Sequence, residues 1–219
     1  MNEEKKFKVT VVYDNEVLVE GLEADWGFSC LIEGKGISGI LFDAGNREAI
    51  LLHNMELLGI DPARIESIII SHGHADHTGG LAAISNLAKG ATLYVPSSLH
   101  LAFPAKNVTR VKGPVQIREH IYSTGVLDGI EQALVLSGTT GVYAIAGCSH
   151  PGVGKILNAA SRFGHVKGII GGLHGFNDFG KLNELSVICP CHCCQHKKEI
   201  AGLFPERYIR CGAGLAIEL

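Results

Sequence analysis

The sequence predicts an α/β fold in which two mixed β-sheets pack face to face and helices cover their outer faces. Three observations support this prediction. Short segments rich in β-branched residues recur along the 219-residue chain, helix-like segments lie between them, and this order occurs in both halves. Such an order suits packed layers of sheet and helix. No Ser/Pro linker or low-complexity tract divides the chain, so we expect one domain over residues 1–219.

The predicted strands are short and bounded by Gly, Asp, Asn or Pro, as strands usually are. They are Phe7–Tyr13, Phe28–Glu33, Gly39–Phe42, Ser67–Ile70, Thr92–Val95, Ala133–Leu136 and Val142–Ala146. Apolar residues at three- and four-residue spacing predict helices between the strands. These helices are Arg47–Leu58, Leu81–Ala88, Val153–Phe163 and Lys197–Leu203.

The charge and hydropathy of the chain favour a small-molecule substrate. The formal net charge is -3 with acids and bases interspersed, so we expect neither a nucleic acid nor a membrane surface as a partner. The segment Met1–Lys8 is charged and lacks the apolar core of a signal peptide, and no later apolar run approaches the length needed to span a bilayer. We therefore expect a cytoplasmic protein, and the sequence leaves its oligomeric state open.

Cysteine and histidine usage indicates a metal site. Four of the 7 cysteines crowd into Cys189-Pro190-Cys191-His192-Cys193-Cys194, where neighbouring thiols could hardly all pair as disulfides. Reduced thiols are therefore expected. The 11 histidines are many for this length, and four of them lie in two short segments otherwise made of small and acidic residues or of cysteines.

The segment Ile68–Gly80 carries the candidate metal centre. A buried strand is expected to end at Ile70, and His72 and His74, two apart on extended chain, can point the same way and share one metal. Asp76 and His77 follow where the chain turns into a helix, and this turn can direct both side chains at a second metal. Imidazole and carboxylate groups are the usual ligands of a catalytic zinc. A histidine-rich surface loop is the alternative, but so compact a ligand set after an apolar strand favours metal.

The string His-x-His-x-Asp-His, followed by Thr78-Gly79-Gly80, resembles the signature of the metallo-β-lactamase superfamily. That resemblance implies the αββα sandwich. Leu41-Phe42-Asp43-Ala44-Gly45 is similar to the superfamily's earlier strand-end Asp, which implies that Asp43 supports the metal loop from behind the ligands. A helix cap before Arg47–Leu58 is the other role open to Asp43.

Other strings are more specific than the superfamily signature. They are Gly147-Cys148-Ser149-His150-Pro151-Gly152, Gly171-Gly172-Leu173-His174 and the late Cys-His-Cys, and they resemble the branch named for a dihydropterin-(ribofuranosyl)aminobenzene-phosphate synthase. The similarity runs from about Val9 to Leu215. It implies that His150 is the next metal ligand and that His192 matches the superfamily's final ligand histidine.

The sequence departs from better-studied members of the superfamily at two places. Lactamases and glyoxalase II carry a ligand His in a Thr-Pro-Gly-His string, for which Tyr122-Ser123-Thr124-Gly125 offers none. They also place a bridging Asp where this chain has Cys148. Either His150 serves where two ligands are usual, or Cys148 contributes a thiolate. A small buried residue is the commoner fate of a lone cysteine.

Two further roles stay open. The four cysteines of Cys189–Cys194 could form a separate structural zinc or iron–sulfur site, although such sites normally need spaced pairs from two loops, which favours His192 at the main centre. His174 follows an apolar strand and is expected near the same edge, where it could bind metal, donate a proton or hold substrate. A structural histidine is the alternative.

These observations predict a metal-dependent hydrolase that acts on a small, ester-type substrate, phosphorylated substrates included, through a metal-activated water. The expected metal is zinc, one or two ions per chain, with manganese or iron(II) as alternatives. Asp76 and His174 are the candidate catalytic residues. The branch resemblance implies a synthase-like transferase as the alternative activity, and a non-catalytic metal-binding or redox module is the alternative of another class.

Overall fold

The computed structural model describes residues 6–219, so Met1–Lys5 of the charged N-terminal segment lie outside the described residues. Residues 6–219 contain thirteen β-strands and five α-helices. The strands are β1 (Phe7–Tyr13), β2 (Ser29–Gly34), β3 (Ile37–Phe42), β4 (Ser67–Ile69), β5 (Thr92–Pro96), β6 (Val108–Val111), β7 (Val115–Arg118), β8 (Ile121–Ser123), β9 (Leu134–Ser137), β10 (Val142–Ala146), β11 (Val166–Gly172), β12 (Val187–Cys191) and β13 (Ala216–Glu218). The helices are α1 (Glu48–Leu57), α2 (Ala75–Thr78), α3 (Leu81–Leu87), α4 (Val153–Ala160) and α5 (Lys197–Leu203).

The strands form two mixed sheets. One sheet has the order β13-β1-β2-β3-β4-β5-β6 and the other has the order β12-β11-β10-β9-β8-β7. β3 to β6 run parallel to one another, and so do β10 to β12. The remaining pairs are antiparallel. Parallel strands of one sheet deliver the turns that follow them to the same edge of that sheet.

Three apolar clusters show that the sheets and helices form four layers. The central cluster joins residues of both sheets, such as Phe42 with Leu134 and Ile170. A second cluster packs α1 and α3 on the outer face of the first sheet, and a third packs α4 and α5 on the outer face of the second. The predicted sandwich of two mixed sheets with helices outside is therefore confirmed.

The predicted elements agree with this structure in the buried parts of the chain. β1, β10 and α5 have the predicted bounds, and the other predicted strands and helices differ by a few residues at their ends. The helix predicted over Val153–Phe163 ends at Ala160 and continues as a 3-10 turn. β6, β7, β8 and β13 were not predicted, because they are short and most of them are partly exposed, so their apolar pattern is weak. β11 and β12 are also missing from the predicted strands, although an apolar strand was expected before His174. Within residues 6–219, no helix has the length and apolar character needed to cross a bilayer.

Candidate metal centre

The candidate centre lies where parallel strands of both sheets end. Each of five turns begins within three residues of a strand's carboxyl end and carries a side chain singled out by the sequence. These side chains are Asp43 after β3, His72 after β4, His150 after β10, His174 after β11 and His192 after β12. The crevice outside the carboxyl ends of strands is where α/β proteins commonly bind ligands.

The turns at this edge hold an unusual backbone conformation. Asp43, Ser149, His174 and His192 have φ values of 59°, 61°, 47° and 46°, in the left-handed region that residues other than glycine rarely adopt. The turns also pack closely, because a Cβ on Gly147 would lie 2.2 Å from Ser71 Oγ. Such strain persists only where the surrounding structure fixes it, and it is concentrated at functional sites.

Three histidines form one set of ligand atoms, which we call the first donor group: His72, His74 and His150. One ligand atom from each lies within 4.8 Å of the others. His72 Nε2 is 3.1 Å from His74 Nδ1, and the His150 ring centroid is 4.7 Å from that of His72. His150 Nε2 is buried and has no hydrogen-bond partner. A buried polar atom without a partner is costly unless a ligand satisfies it.

Four side chains form the second donor group: Asp76, His77, Cys148 and His192. Cys148 Sγ is 3.2 Å from His77 Nε2, and Asp76 Oδ2 is 3.2 Å from His192 Nε2. The two donor groups are adjacent, since the rings of His72 and His77 are 4.3 Å apart. His192 Nε2 is buried and faces the Asp76 carboxylate.

Hydrogen bonds behind the donor groups fix which ring nitrogens face the centre. The buried Asp43 carboxylate accepts from Ser71 N, from Ser71 Oγ and from His77 Nδ1, each at 2.7 Å. Because Ser71 Oγ donates to Asp43, it accepts from His72 Nδ1 at 2.9 Å. In the neutral tautomer that these bonds select, His72 and His77 carry their hydrogen on Nδ1 and leave Nε2 free to face the centre, as ligand nitrogens must. Asp43 makes no cap to α1, which begins after Arg47.

Residues of the first loop hold His192 in a similar way. Asn15 Oδ1 lies 3.0 Å from His192 Nδ1, and Asn15 Nδ2 donates to His192 O at 3.1 Å. Asp14 Oδ1 accepts from His192 N at 2.8 Å. Burial raises the pKa of Asp14 to about 7, and the nearby Cys211 adds to that rise. This support could not be predicted from the sequence, because the partners are more than 170 positions apart.

The electrostatics of the centre favour the neutral form of His72 and His192 and act in the opposite direction on His77. Burial lowers the pKa of His72 far below its usual range, and neighbouring His77 and His150 lower it further. Burial also lowers the pKa of His192 to about 3. Burial opposes the charged form of His77 as well, but the charge and hydrogen bond of Asp43 outweigh it and raise the pKa of that ring. A neutral imidazole is the form that binds a metal.

A buried carboxylate that the sequence analysis missed organises the turn after β10. Glu131 Oε1 accepts from the backbone nitrogens of Gly147, Cys148 and Ser149 at 3.0 to 3.1 Å, and its Oε2 accepts from His150 N at 2.8 Å. Burial raises the pKa of Glu131, which the backbone donors partly offset. Glu131 thus positions one ligand candidate of each donor group without reaching the centre.

The cysteines of the late loop do not gather at one point. Cys189 and Cys191 face the core between the sheets, and Cys194 packs in the outer core under α5. Cys193 lies beside Cys148, to whose carbonyl oxygen its Sγ is 3.8 Å distant. Among residues 6–219, no three of the four cysteines form a group with metal-ligand spacing. The arrangement gives no support to a separate structural site there.

Two exposed rings flank the donor groups. His174 lies beside the first donor group, with its ring 5.2 Å from that of His150. Trp26, which the sequence analysis passed over, lies beside the second donor group and donates from Nε1 to Asp76 Oδ2 at 2.9 Å.

The chemistry of both groups fits divalent transition-metal ions. The first supplies three imidazoles and the second supplies two imidazoles, a carboxylate and a thiol, which are the ligand types of zinc and iron(II). A hydrogen bond with Cys193 and burial both raise the pKa of the Cys148 thiol. A cation would reverse that effect, since a coordinating thiol is deprotonated.

Comparison with known proteins agrees with this description. The family model of the metallo-β-lactamase superfamily matches residues 27–156. A 7,8-dihydropterin-6-methyl-4-(β-D-ribofuranosyl)-aminobenzene-5′-phosphate synthase from Methanocaldococcus jannaschii is 28% identical, over 88% of this chain and 89% of that protein.

Solved structures show the same fold. A metal-dependent hydrolase of the β-lactamase superfamily has a TM-score of 0.77 and 24% identity, covering 97% of this chain and 99% of its own. The metallo-β-lactamase fold protein YhfI from Bacillus subtilis has a TM-score of 0.56 and 14% identity, covering 99% of this chain and 100% of its own.

Proposed function

This chain belongs to the metallo-β-lactamase superfamily, and from that membership and its two donor groups we propose that it is a metal-dependent hydrolase of a small, ester-type substrate. Phosphorylated esters are included in that class. The adjacency of the two donor groups carries the proposal, because seven ligand-type side chains exceed the four that a structural zinc requires. A site that only stores metal has no need of such a pair.

We assign one metal ion to each donor group. Zinc suits the all-imidazole first group. The thiol of Cys148 makes the second group softer and favours zinc or iron(II) there over manganese. When bound, such a pair of cations lowers the pKa of a water and supplies positive charge that stabilises a reacting ester.

The protein's own groups act by position and by proton transfer. Asp43 sets the tautomers of two ligand histidines, directly and through Ser71, and Glu131 holds the turn of Cys148 and His150. His174 is exposed beside the first donor group, where its imidazole can donate a proton to a departing alkoxide. Asp76 would supply the carboxylate ligand of the second donor group.

The test is turnover of chromogenic phosphodiesters, phosphomonoesters and carboxylic esters by protein reconstituted with zinc, iron(II) or manganese. We expect turnover of at least one class, and we expect Asp76→Ala to reduce it by at least roughly 10 to 100-fold, the range for losing a group that supports a ligand. His165→Ala serves as the matched control, because His165 lies in the turn before β11, at the opposite end of that strand. Absence of turnover with every metal would contradict the proposal.

A synthase-like activity is the second candidate, and the relative from Methanocaldococcus jannaschii is the observation that favours it. By its name, that protein makes a dihydropterin joined through a methyl group to a ribosylated aminobenzene phosphate. Incubation of this protein with a ribosylated aminobenzene phosphate and a dihydropterin whose 6-methylene carbon carries a leaving group such as diphosphate, followed by mass spectrometry of the joined product and the released diphosphate, distinguishes the two. A joined product without ester turnover would replace the hydrolase with the synthase.

A further inference from the structure

Trp26 is an exposed aromatic residue at the edge of the candidate centre. It is the chain's single tryptophan, and 55% of it is exposed. It precedes the buried Gly27 and Phe28 that lead into β2, so its backbone is anchored while its ring stands outside the core. Tryptophan combines a large apolar surface with one polar atom, a combination that is enriched at binding interfaces.

The orientation of Trp26 leaves its ring face available. Its only polar atom, Nε1, already donates to Asp76 Oδ2 at 2.9 Å. Its ring centroid is 4.9 Å from that of His192, at an interplanar angle of 58°. The indole can therefore contact a ligand through its apolar surface and not through a hydrogen bond.

A row of ring contacts places Trp26 at one side of the centre. The row runs through Trp26, His192, His77, His72, His150 and His174. In that order, successive ring centroids are 4.9, 5.0, 4.3, 4.7 and 5.2 Å apart. Trp26 therefore borders the second donor group and His174 borders the first. A ligand whose reacting group lies between the donor groups can extend to the indole on one side.

We propose that Trp26 is the platform for a planar aromatic or heteroaromatic ring of the substrate. The ring packs against the indole face while the group to be cleaved lies at the two donor groups. This inference rests on the proposed function for the identity of the reacting group. It adds the substrate class: esters that carry a flat unsaturated ring next to the bond that is cleaved.

The test compares two ligands that differ only in the ring. Phenyl phosphate and cyclohexyl phosphate carry the same anion on a six-membered ring, which is planar and aromatic in the first and puckered and saturated in the second. Binding to zinc-reconstituted protein is followed by tryptophan fluorescence, excited where tyrosine does not absorb. Because Trp26 is the only tryptophan, every change in that emission reports on this side chain.

We expect phenyl phosphate to bind more tightly than cyclohexyl phosphate by roughly 2 to 10-fold, which is the range for aromatic pairing beyond area burial. It should also change the Trp26 emission more strongly. Trp26→Phe should keep most of this preference by calorimetry, since it keeps a ring. Trp26→Leu should abolish the preference.

Two variants also separate the platform from a role in holding Asp76. Both Trp26→Phe and Trp26→Leu lose the hydrogen bond to Asp76. If Trp26 acted through that bond alone, the two variants would bind zinc equally weakly and would show the same preference between phenyl phosphate and cyclohexyl phosphate. Equal affinities for the two phosphates in the wild type, or no binding of either, would overturn the platform. Ester turnover without a ring preference would leave the hydrolase in place and remove the platform. A ring preference without any ester turnover would support the platform and count against the hydrolase.

Discussion

Replacing Asp43 with asparagine tests how the ligand histidines are prepared for metal. In the native protein Asp43 Oδ2 accepts from Ser71 Oγ and from His77 Nδ1, both at 2.7 Å. If the amide oxygen of Asp43→Asn still accepts from Ser71 N, its NH₂ group takes the place of Oδ2, to which Ser71 Oγ and His77 Nδ1 donate in the native protein. His77 Nδ1 must then become an acceptor, which moves its hydrogen to Nε2. Ser71 Oγ must accept from the amide and donate to His72 Nδ1, which moves the hydrogen of that ring to Nε2 as well.

The size of the effect follows from the bonds that metal binding would then break. To bind metal, each ring must return to the tautomer without hydrogen on Nε2. For His77, the hydrogen on Nδ1 then faces an N–H of the new amide. For His72, the hydroxyl hydrogen of Ser71 faces that amide instead. A hydrogen bond to a charged group contributes about 1.5 to 3 kcal/mol. Since about 1.4 kcal/mol is a factor of ten in an equilibrium constant, each site should bind zinc roughly 10 to 100-fold more weakly.

The assay is zinc competition against a chelator of known affinity, resolved into two binding steps. Asp43→Asn should weaken both steps, whereas Ser71→Ala, which interrupts only the relay to His72, should weaken one. Circular dichroism of each metal-free variant controls for folding. If Asp43→Asn bound both zinc ions with wild-type affinity, the assignment of tautomers would be wrong.

Three other variants test the remaining parts of the site. Cys148→Ser should abolish the thiolate-to-metal charge-transfer band of the cobalt-substituted protein, and a band of unchanged intensity would show that Cys148 is no ligand. Glu131→Gln should destabilise the fold by about 1.5 to 3 kcal/mol in urea unfolding, because one buried backbone donor loses its charged acceptor, and an unchanged midpoint would contradict that role. The double change of Cys191→Ser and Cys189→Ser should leave the metal content at its wild-type value, measured by mass spectrometry, since both thiols lie in the core. Loss of one metal ion in that variant would support a separate structural metal site at these cysteines.

The parts of the site that the sequence predicted are local in the chain. His72 and His74 follow a buried strand with the alternation that makes their side chains point the same way, and Asp76 and His77 follow within one turn of chain. Asp43 was found through a similar string at a strand end, and its carboxylate accepts from Ser71 N and His77 Nδ1. Local periodicity and the ends of the strands predict which residues lie at the site, because the turns that carry the candidate ligands all follow the carboxyl ends of strands.

The supporting residues could not be predicted, because their partners are distant in sequence. Glu131 accepts from backbone groups 16 to 19 positions away, and any of the chain's 22 acidic residues could have met that need. Asn15 meets His192 across 177 positions. Cys148 was left between two roles by its sequence alone, and its place among Asp76, His77 and His192 makes it a candidate ligand. Such contacts are set by the packing of the two sheets.

The most direct measurement is anomalous diffraction at the zinc absorption edge from crystals of the reconstituted protein. We expect two zinc peaks, one within bonding distance of the first donor group, about 2.0 to 2.3 Å from its nitrogens, and the other at the same range from the second donor group, including the sulfur of Cys148. A protein without peaks at these groups, or with zinc bound among the core cysteines instead, would contradict the metal centre described above.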